Sequence, residues 1–205
     1  MKFTLPKIYP ITDRKLSGLP HEEQVIKLAS GGASLIQLRA KSENMRTFYE
    51  DARRAVERAD GALVLVNDRV DIAVMAGAAG VHLGQDDLPP EEARRLLGPE
   101  AIIGFSTHSV EQAIRAVELP IDYIAIGPIF ATATKTDTEP VVGLDGIRAV
   151  RRAIGDFPLV AIGGIGGEHL RSVFKAGADS AAMIAGLHRS NIDLAASYRE
   201  LSAKL

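Results

Sequence analysis

Short apolar, β-branched runs recur along the chain at intervals of roughly 20 to 35 residues, with helical periodicity between most of them, the alternation expected of βα units. The runs are Lys7 to Thr12, Leu35 to Arg39, Leu63 to Val66, Gly80 to Leu83, Ile102 to Phe105, Tyr123 to Gly127, Leu159 to Ile162 and Ser180 to Ile184, eight predicted strands. Predicted helices cover Glu22 to Ser30, Asn44 to Arg58, Pro90 to Leu97, Val110 to Glu118, Leu144 to Ile154, Glu168 to Lys175 and Asp193 to Ala203. Those with Arg, Lys and Glu on one face and Ala, Leu, Ile or Val on the other suit the outside of a sheet. Arg69 to Ala76 is short and only weakly amphipathic, which makes it a doubtful helix. Gly31-Gly32, Gly77, Gly98 and Gly177 stand where a helix should stop and the chain turn into the next strand. Eight such units predict an α/β fold, a closed (β/α)8 TIM barrel, with a doubly wound open sheet as the alternative. No linker, charge block or low-complexity segment interrupts residues 1–205, so one domain is expected.

Composition narrows the chemistry. Lys plus Arg number 24 against 26 Asp plus Glu, so the formal charge of -2 supplies no global field for a nucleic-acid backbone or an anionic membrane. Any anionic ligand must be held by local groups. The absence of Cys excludes disulfides, thiolate metal sites and cysteine nucleophiles, and the five His residues are scattered. Met1 to Lys7 has no apolar leader-like core, and no stretch approaches the roughly 18 apolar residues of a membrane span. A soluble cytoplasmic protein is expected, its oligomeric state open.

In a parallel barrel the C-terminal strand ends converge on one mouth. The residues that follow the apolar runs are Asp13; Gln37, Arg39 and Lys41; Asn67 and Asp68; Gln85, Asp86 and Asp87; Ser106, Thr107 and His108; Thr132, Thr134 and Lys135; Gly163 and Gly164; then Ala185 and Gly186. Any single Asp or Asn there can simply cap the next helix. Arg39 and Lys41 are harder to dismiss, because two cations at one strand end repel unless an anion or carboxylates lie between them. Asp68 and Asp87 follow neighbouring strands, and a carboxylate pair beside a cation pair is what a magnesium diphosphate site needs. The competing reading is a mutual salt-bridge cluster. Gly163 and Gly164 suggest a second anion cradle, since loops after strands 7 and 8 often bind phosphate in this architecture. Ala131 to Val142 is a Thr-rich stretch without apolar period, long enough to suggest a functional loop. His82 alternates with Val81 and Leu83 and reads as a hydrogen-bonded core residue; His108 is placed at the start of a helix.

Taken in order, Tyr9-Pro10-Ile11-Thr12-Asp13, Gln37-Leu38-Arg39-Ala40-Lys41, Val66-Asn67-Asp68-Arg69, Gly80-Val81-His82-Leu83-Gly84-Gln85-Asp86-Asp87, Ser106-Thr107-His108 and Gly127-Pro128-Ile129-Phe130-Ala131-Thr132-Ala133-Thr134-Lys135 resemble the thiamine phosphate synthase family over almost the whole chain. The resemblance implies a (β/α)8 enzyme that joins a hydroxymethylpyrimidine diphosphate to a thiazole phosphate, releasing diphosphate. It implies that Gln37, Arg39 and Lys41, with the intervening Leu38 and Ala40, hold the pyrimidine diphosphate together with Asn67 and Lys135. It also implies Asp68 and Asp87 as Mg2+ ligands and Ser106 against the pyrimidine. Thr132, Ala133 and Thr134 would meet the thiazole, and Gly164, Ile184 and Ala185 its phosphate. Arg39, Lys41, Ser106 and Lys135 are the expected catalytic groups. Two positions depart from the family pattern: Ala40 stands for the common Glu, and Ala185 for the usual Ser, which removes a hydroxyl donor to the thiazole phosphate. A thiazole tautomerase of the same superfamily fits less well, because that branch has a His at the position of Pro128 and lacks the carboxylate of Asp87. A phosphosugar isomerase on a similar barrel is a more distant alternative, using a carboxylate–Lys pair without metal. A non-catalytic barrel that senses thiazole or thiamine phosphate is favoured only by Ala185.

Overall fold

A computed structural model describes residues 4–41, 43–132, 140–188 and 192–205. The eight apolar runs are strands β1 (Ile8–Thr12), β2 (Leu35–Leu38), β3 (Leu63–Asn67), β4 (Gly80–Leu83), β5 (Ile102–Thr107), β6 (Tyr123–Ile126), β7 (Leu159–Ile162) and β8 (Ser180–Met183). Each pairs in parallel with the next, and β8 returns to pair with β1 through Ile8↔Ala181 and Tyr9↔Ala182. The barrel is therefore closed, and the open sheet is excluded.

Helices α1 (Arg14–Ser17), α2 (His21–Ser30), α3 (Met45–Glu57), α4 (Val70–Ala76), α5 (Pro90–Leu97), α6 (Val110–Ala116), α7 (Gly143–Ile154), α8 (Leu170–Lys175) and α9 (Leu194–Ser202) surround it. The doubtful segment is the helix α4, stopped by Gly77 at φ 68. Its pattern was weak because Val74 and Met75 lie on the exposed side while Val70, Ile72, Ala73 and Ala76 are buried. Two elements have no sequence forecast: α1, and a 3-10 turn at Ala185–Leu187 where β8 was expected to run on to Ile184. Each is too short to show a period. No helix among the described residues is long and apolar enough to cross a membrane.

Successive strand residues alternate between two cores. Ile36 and Leu38 of β2 pack outward with the helices, whereas Leu35 joins Tyr9, Ile11, Leu65, Ile102, Tyr123, Ala125, Val160 and Ala182 inside the barrel. Following that alternation, Gln37 points inward one layer above Leu35. Gly104 of β5 has no side chain because the interior has no room for one. A Cβ there would lie 2.0 Å from Tyr123 Cζ and 2.5 Å from His82 Nδ1.

At the opposite end from the mouth, two arginines do the same job in different units. Arg94 of α5 reaches the Ala101 and Pro120 carbonyls and Asp122, whose carboxylate accepts from the Ile103 N–H. Arg151 of α7 reaches the Phe157 and Gly177 carbonyls and Asp179, whose carboxylate accepts from the Leu159 N–H. Each guanidinium ties a helix to the entries of the next two strands, satisfying loop carbonyls there.

Candidate active site

The strand ends bring charged groups of both signs to one mouth. Just past β2, Arg39 Nη1 lies 3.3 Å from Asp13 Oδ2, with both side chains only 12% and 13% exposed. Asp13 is at once the N-cap of α1, its Oδ1 accepting from the N–H groups of Lys15 at 2.9 Å and Leu16 at 3.1 Å. Capping, the plainer reading of an Asp after a strand, is thus true of this one. Lys41 Nζ lies 2.5 Å from Asp68 Oδ2 and is half exposed. Asp68 sits at φ 62, a left-handed conformation that Asp tolerates better than most residues, and its N–H donates to the His82 carbonyl at 2.9 Å. The strand-3 and strand-4 ends are locked together by that bond.

Asp87 Oδ2 accepts from the Gly84 N–H at 2.7 Å, which folds the turn after β4 back on itself. Burial pushes the Asp87 carboxyl above the ordinary aspartate range, opposed by the Gly84 N–H and reinforced by the neighbouring Asp68, with Lys41 drawing it down. Asp68 and Asp87 therefore face each other closely enough to interact, as their place on adjacent strands predicted. In this arrangement each cation has a carboxylate partner, the mutual salt-bridge cluster that sequence alone left open. Two neighbouring carboxylates beside a half-exposed ammonium would also suit a hard divalent cation, which would relieve the repulsion between them that Lys41 now offsets.

Further round, Asn67 is the last residue of β3 and nearly buried. Ser106 lies near the end of β5, its Oγ 2.9 Å from His82 Nε2 and its carbonyl accepting from Gln85 Nε2 at 2.5 Å. His82 is the hydrogen-bonded interior residue expected, its Nδ1 2.9 Å from the Tyr123 hydroxyl. His108 precedes α6, and its Nδ1 lies 2.7 Å from the Gly127 carbonyl. Leu38 is fully buried in the outer core, so only its backbone reaches toward the mouth, while Ala40 is half-buried beside Arg39.

On the far side, Gly163 and Gly164 have φ of 99° and 65°. A Cβ at Gly163 would lie 2.7 Å from Pro128 Cα, and one at Gly164 2.7 Å from the Ala131 carbonyl oxygen. The glycines were read as room for a ligand; what they admit first is the backbone after β6, whose Phe130 N–H donates to the Gly163 carbonyl at 3.0 Å. Thr132 is half-buried at the end of this segment. Ile184 is half-buried and Ala185 exposed at the start of the 3-10 turn. Ala133, Thr134 and Lys135 lie outside the described residues.

One cluster escaped the sequence reading. His21, Glu43 and Asp51 gather as three potential metal ligands. Their bonds show another use: Asp51 accepts from the N–H groups of His21 and Glu22, capping α2, and Arg14 Nη1 lies 3.0 Å from Glu43. His21 bridges Thr12 Oγ1 and Glu43 Oε1, tying β1 to the loop after β2 that carries Arg39 and Lys41. Only a contact between residues far apart in the chain could have revealed it.

A closed (β/α)8 barrel whose mouth sets two cations beside paired carboxylates is built as an enzyme of this architecture, with its chemistry on the strand-end loops. A profile described as Thiamine monophosphate synthase matches residues 8–187, and the chain belongs to that family. A thiamine-phosphate synthase of Koribacter versatilis (strain Ellin345) is 48% identical over 192 residues, covering 89% of each chain. One from Albidiferax ferrireducens is 46% identical over 184 residues, 88% of this chain and 84% of the relative. The solved thiamine phosphate pyrophosphorylase of Pyrococcus furiosus superposes with a TM-score of 0.85 at 37% identity, covering 97% of this chain and 94% of that one.

Proposed function

We propose that the chain is a transferase that joins a pyrimidinylmethyl diphosphate to a thiazole phosphate, giving thiamine phosphate and diphosphate. The observation that carries this reading is the meeting of Arg39, Lys41, Asp68 and Asp87 at one rim of the mouth, with Ser106 and Gln37 on the adjoining interior layer. In this reading Asp68 and Asp87 hold Mg2+, whose contribution is to offset charge on the diphosphate. Arg39 and Lys41, joined by Lys135 and Asn67, exchange their present partners for the diphosphate oxygens and stabilise the charge that builds as the C–O bond breaks. Gln37 and Ser106, with the chain at Leu38 and Ala40, orient the pyrimidine ring, whose electron-rich amino group supports the methylene cation. Thr132, Ala133 and Thr134 position the thiazole, and Gly164, Ile184 and Ala185 receive its phosphate through backbone N–H groups. The thiazole nitrogen then captures the cation, and no enzymic nucleophile takes part. We take residues 1–205 to act as one unit in this role.

The test is direct: both substrates are supplied with Mg2+, and thiamine phosphate and diphosphate are measured. A tautomerase would consume the thiazole without diphosphate release, and a sensor would bind without turnover.

A further inference from the structure

Strand β2 ends at Leu38, opposite Thr12 of β1, and the chain beyond it must set Arg39 and Lys41 at the mouth before α3 begins at Met45. Two cations so placed repel each other. Their ion pairs to Asp13 and Asp68 offset that repulsion, but under the proposed reading both cations leave those partners when a diphosphate arrives. A tie that survives ligand binding has to be made by other groups.

His21 makes one. Its imidazole, at the first turn of α2, is fully buried and stands edge-on to Phe48 with centroids 5.6 Å apart. An apolar side chain would fill that space without burying two nitrogens. Capping does not account for the ring either, because Asp51 already accepts from the N–H groups of His21 and Glu22. What the nitrogens reach lies outside the helix: Nδ1 is 2.5 Å from Thr12 Oγ1, and Nε2 is 2.9 Å from Glu43 Oε1. Glu43 stands two residues past Lys41, its side chain 18% exposed against 50% for Lys41, and its second oxygen is 3.0 Å from Arg14 Nη1. A bond shielded from water in this way holds its geometry better than the exposed Lys41–Asp68 pair. We propose that His21 and Glu43 form a clasp that keeps Arg39 and Lys41 turned to the mouth whether or not an anion is bound, which makes both of them positioning residues for the diphosphate. That the anion is the substrate's diphosphate rests on the proposed transferase reading; the clasp itself requires only an anion at Arg39 and Lys41.

The sign of one substitution separates a clasp from a bystander. Glu43→Ala removes a negative charge from near two cations, which by charge alone should tighten the binding of an anion. The clasp predicts the opposite: inorganic diphosphate with Mg2+, titrated calorimetrically into the folded protein, should bind Glu43→Ala about fivefold or more weakly than the parent. Glu43→Gln keeps an acceptor oxygen for His21 without the charge and should bind no more weakly than the parent. His21→Gln, whose amide reaches about as far as Nε2, should bind better than His21→Asn, whose amide reaches only about as far as Nδ1. If the buried variants do not fold, the two Glu43 variants decide. Tighter or unchanged binding by folded Glu43→Ala, Glu43→Gln as weak as Glu43→Ala, or a parent that does not bind the diphosphate at all overturns the inference. With both substrates present, Glu43→Ala should raise the KM for the pyrimidine diphosphate about fivefold or more and leave that for thiazole phosphate within about twofold. Both values rising together would show a general loosening and contradict the clasp. If Glu43→Ala weakens diphosphate as expected while the parent forms no thiamine phosphate, the transferase reading fails and the clasp stands.

Discussion

Lys41 shows how much one side chain at this mouth depends on what else is there. It lies 2.5 Å from Asp68, next to an Asp87 carboxyl that burial, reinforced by Asp68, pushes above the ordinary aspartate range. Under the proposed reading both carboxylates must be ionised and shared with a divalent cation, so Asp68→Asn and Asp87→Asn should each lower turnover at least about tenfold, roughly 1.4 kcal/mol or more of transition-state stabilisation. Circular dichroism should be unchanged, and calorimetric Mg2+ binding in the presence of diphosphate should weaken; full turnover in folded variants would remove both residues from the metal site. Ala185 offers a gain instead of a loss. Under the same proposed reading, Ala185→Ser adds a hydroxyl beside a thiazole phosphate held by backbone donors, and about three- to thirtyfold tighter binding is expected from part of a charge-assisted hydrogen bond. Titration of thiazole phosphate and pyrimidine diphosphate separately should show the change in the first only. Most of these residues were legible in the sequence because each directly follows an apolar run, and barrel geometry sends such positions to one place. What was not legible is pairing at a distance: Arg39 finds Asp13 across 26 residues, and the partners of His21 lie at the end of β1 and in the loop after β2.

At the scale of elements, strand ends moved by only a residue or two from the pattern, since β2 stops at Leu38 and β5 runs on to Thr107. Short elements were missed for a physical reason. Four residues in α1 and three in the turn after β8 complete too few turns to show a period, so only the Asp13 cap hinted at the first. The inner core makes a sharper forecast. Gly104→Ala would force a methyl against the Tyr123 ring and the His82 imidazole, which are hydrogen-bonded to each other, and should cost at least about 2 kcal/mol. A variant as stable as the parent in urea titration would mean that the ring can move. Arg151→Ala removes the tie between α7 and the start of β8 and should cost about 1.5 to 3 kcal/mol, with kcat/KM nearly unchanged because the arginine lies at the end away from the mouth. Denaturant melts and initial rates on the same preparation check both halves of that statement.

For the whole molecule, the sequence supplied eight βα units but not whether they close; the β1–β8 pairing decides it, and only closure gathers all eight strand ends into one mouth. A net charge of -2 offers no overall attraction for two anionic substrates, so recognition has to come from the few cations set at that mouth. The central claim is that these groups together transfer a pyrimidinylmethyl group from diphosphate to a thiazole. The measurement that tests it most directly is a single incubation of the purified chain with pyrimidinylmethyl diphosphate, thiazole phosphate and Mg2+, with thiamine phosphate and diphosphate quantified over time. The account predicts that the two products appear in equal amounts, and that neither appears when a chelator replaces the metal or when either substrate is left out. Binding of both substrates by folded protein with no thiamine phosphate formed would contradict it.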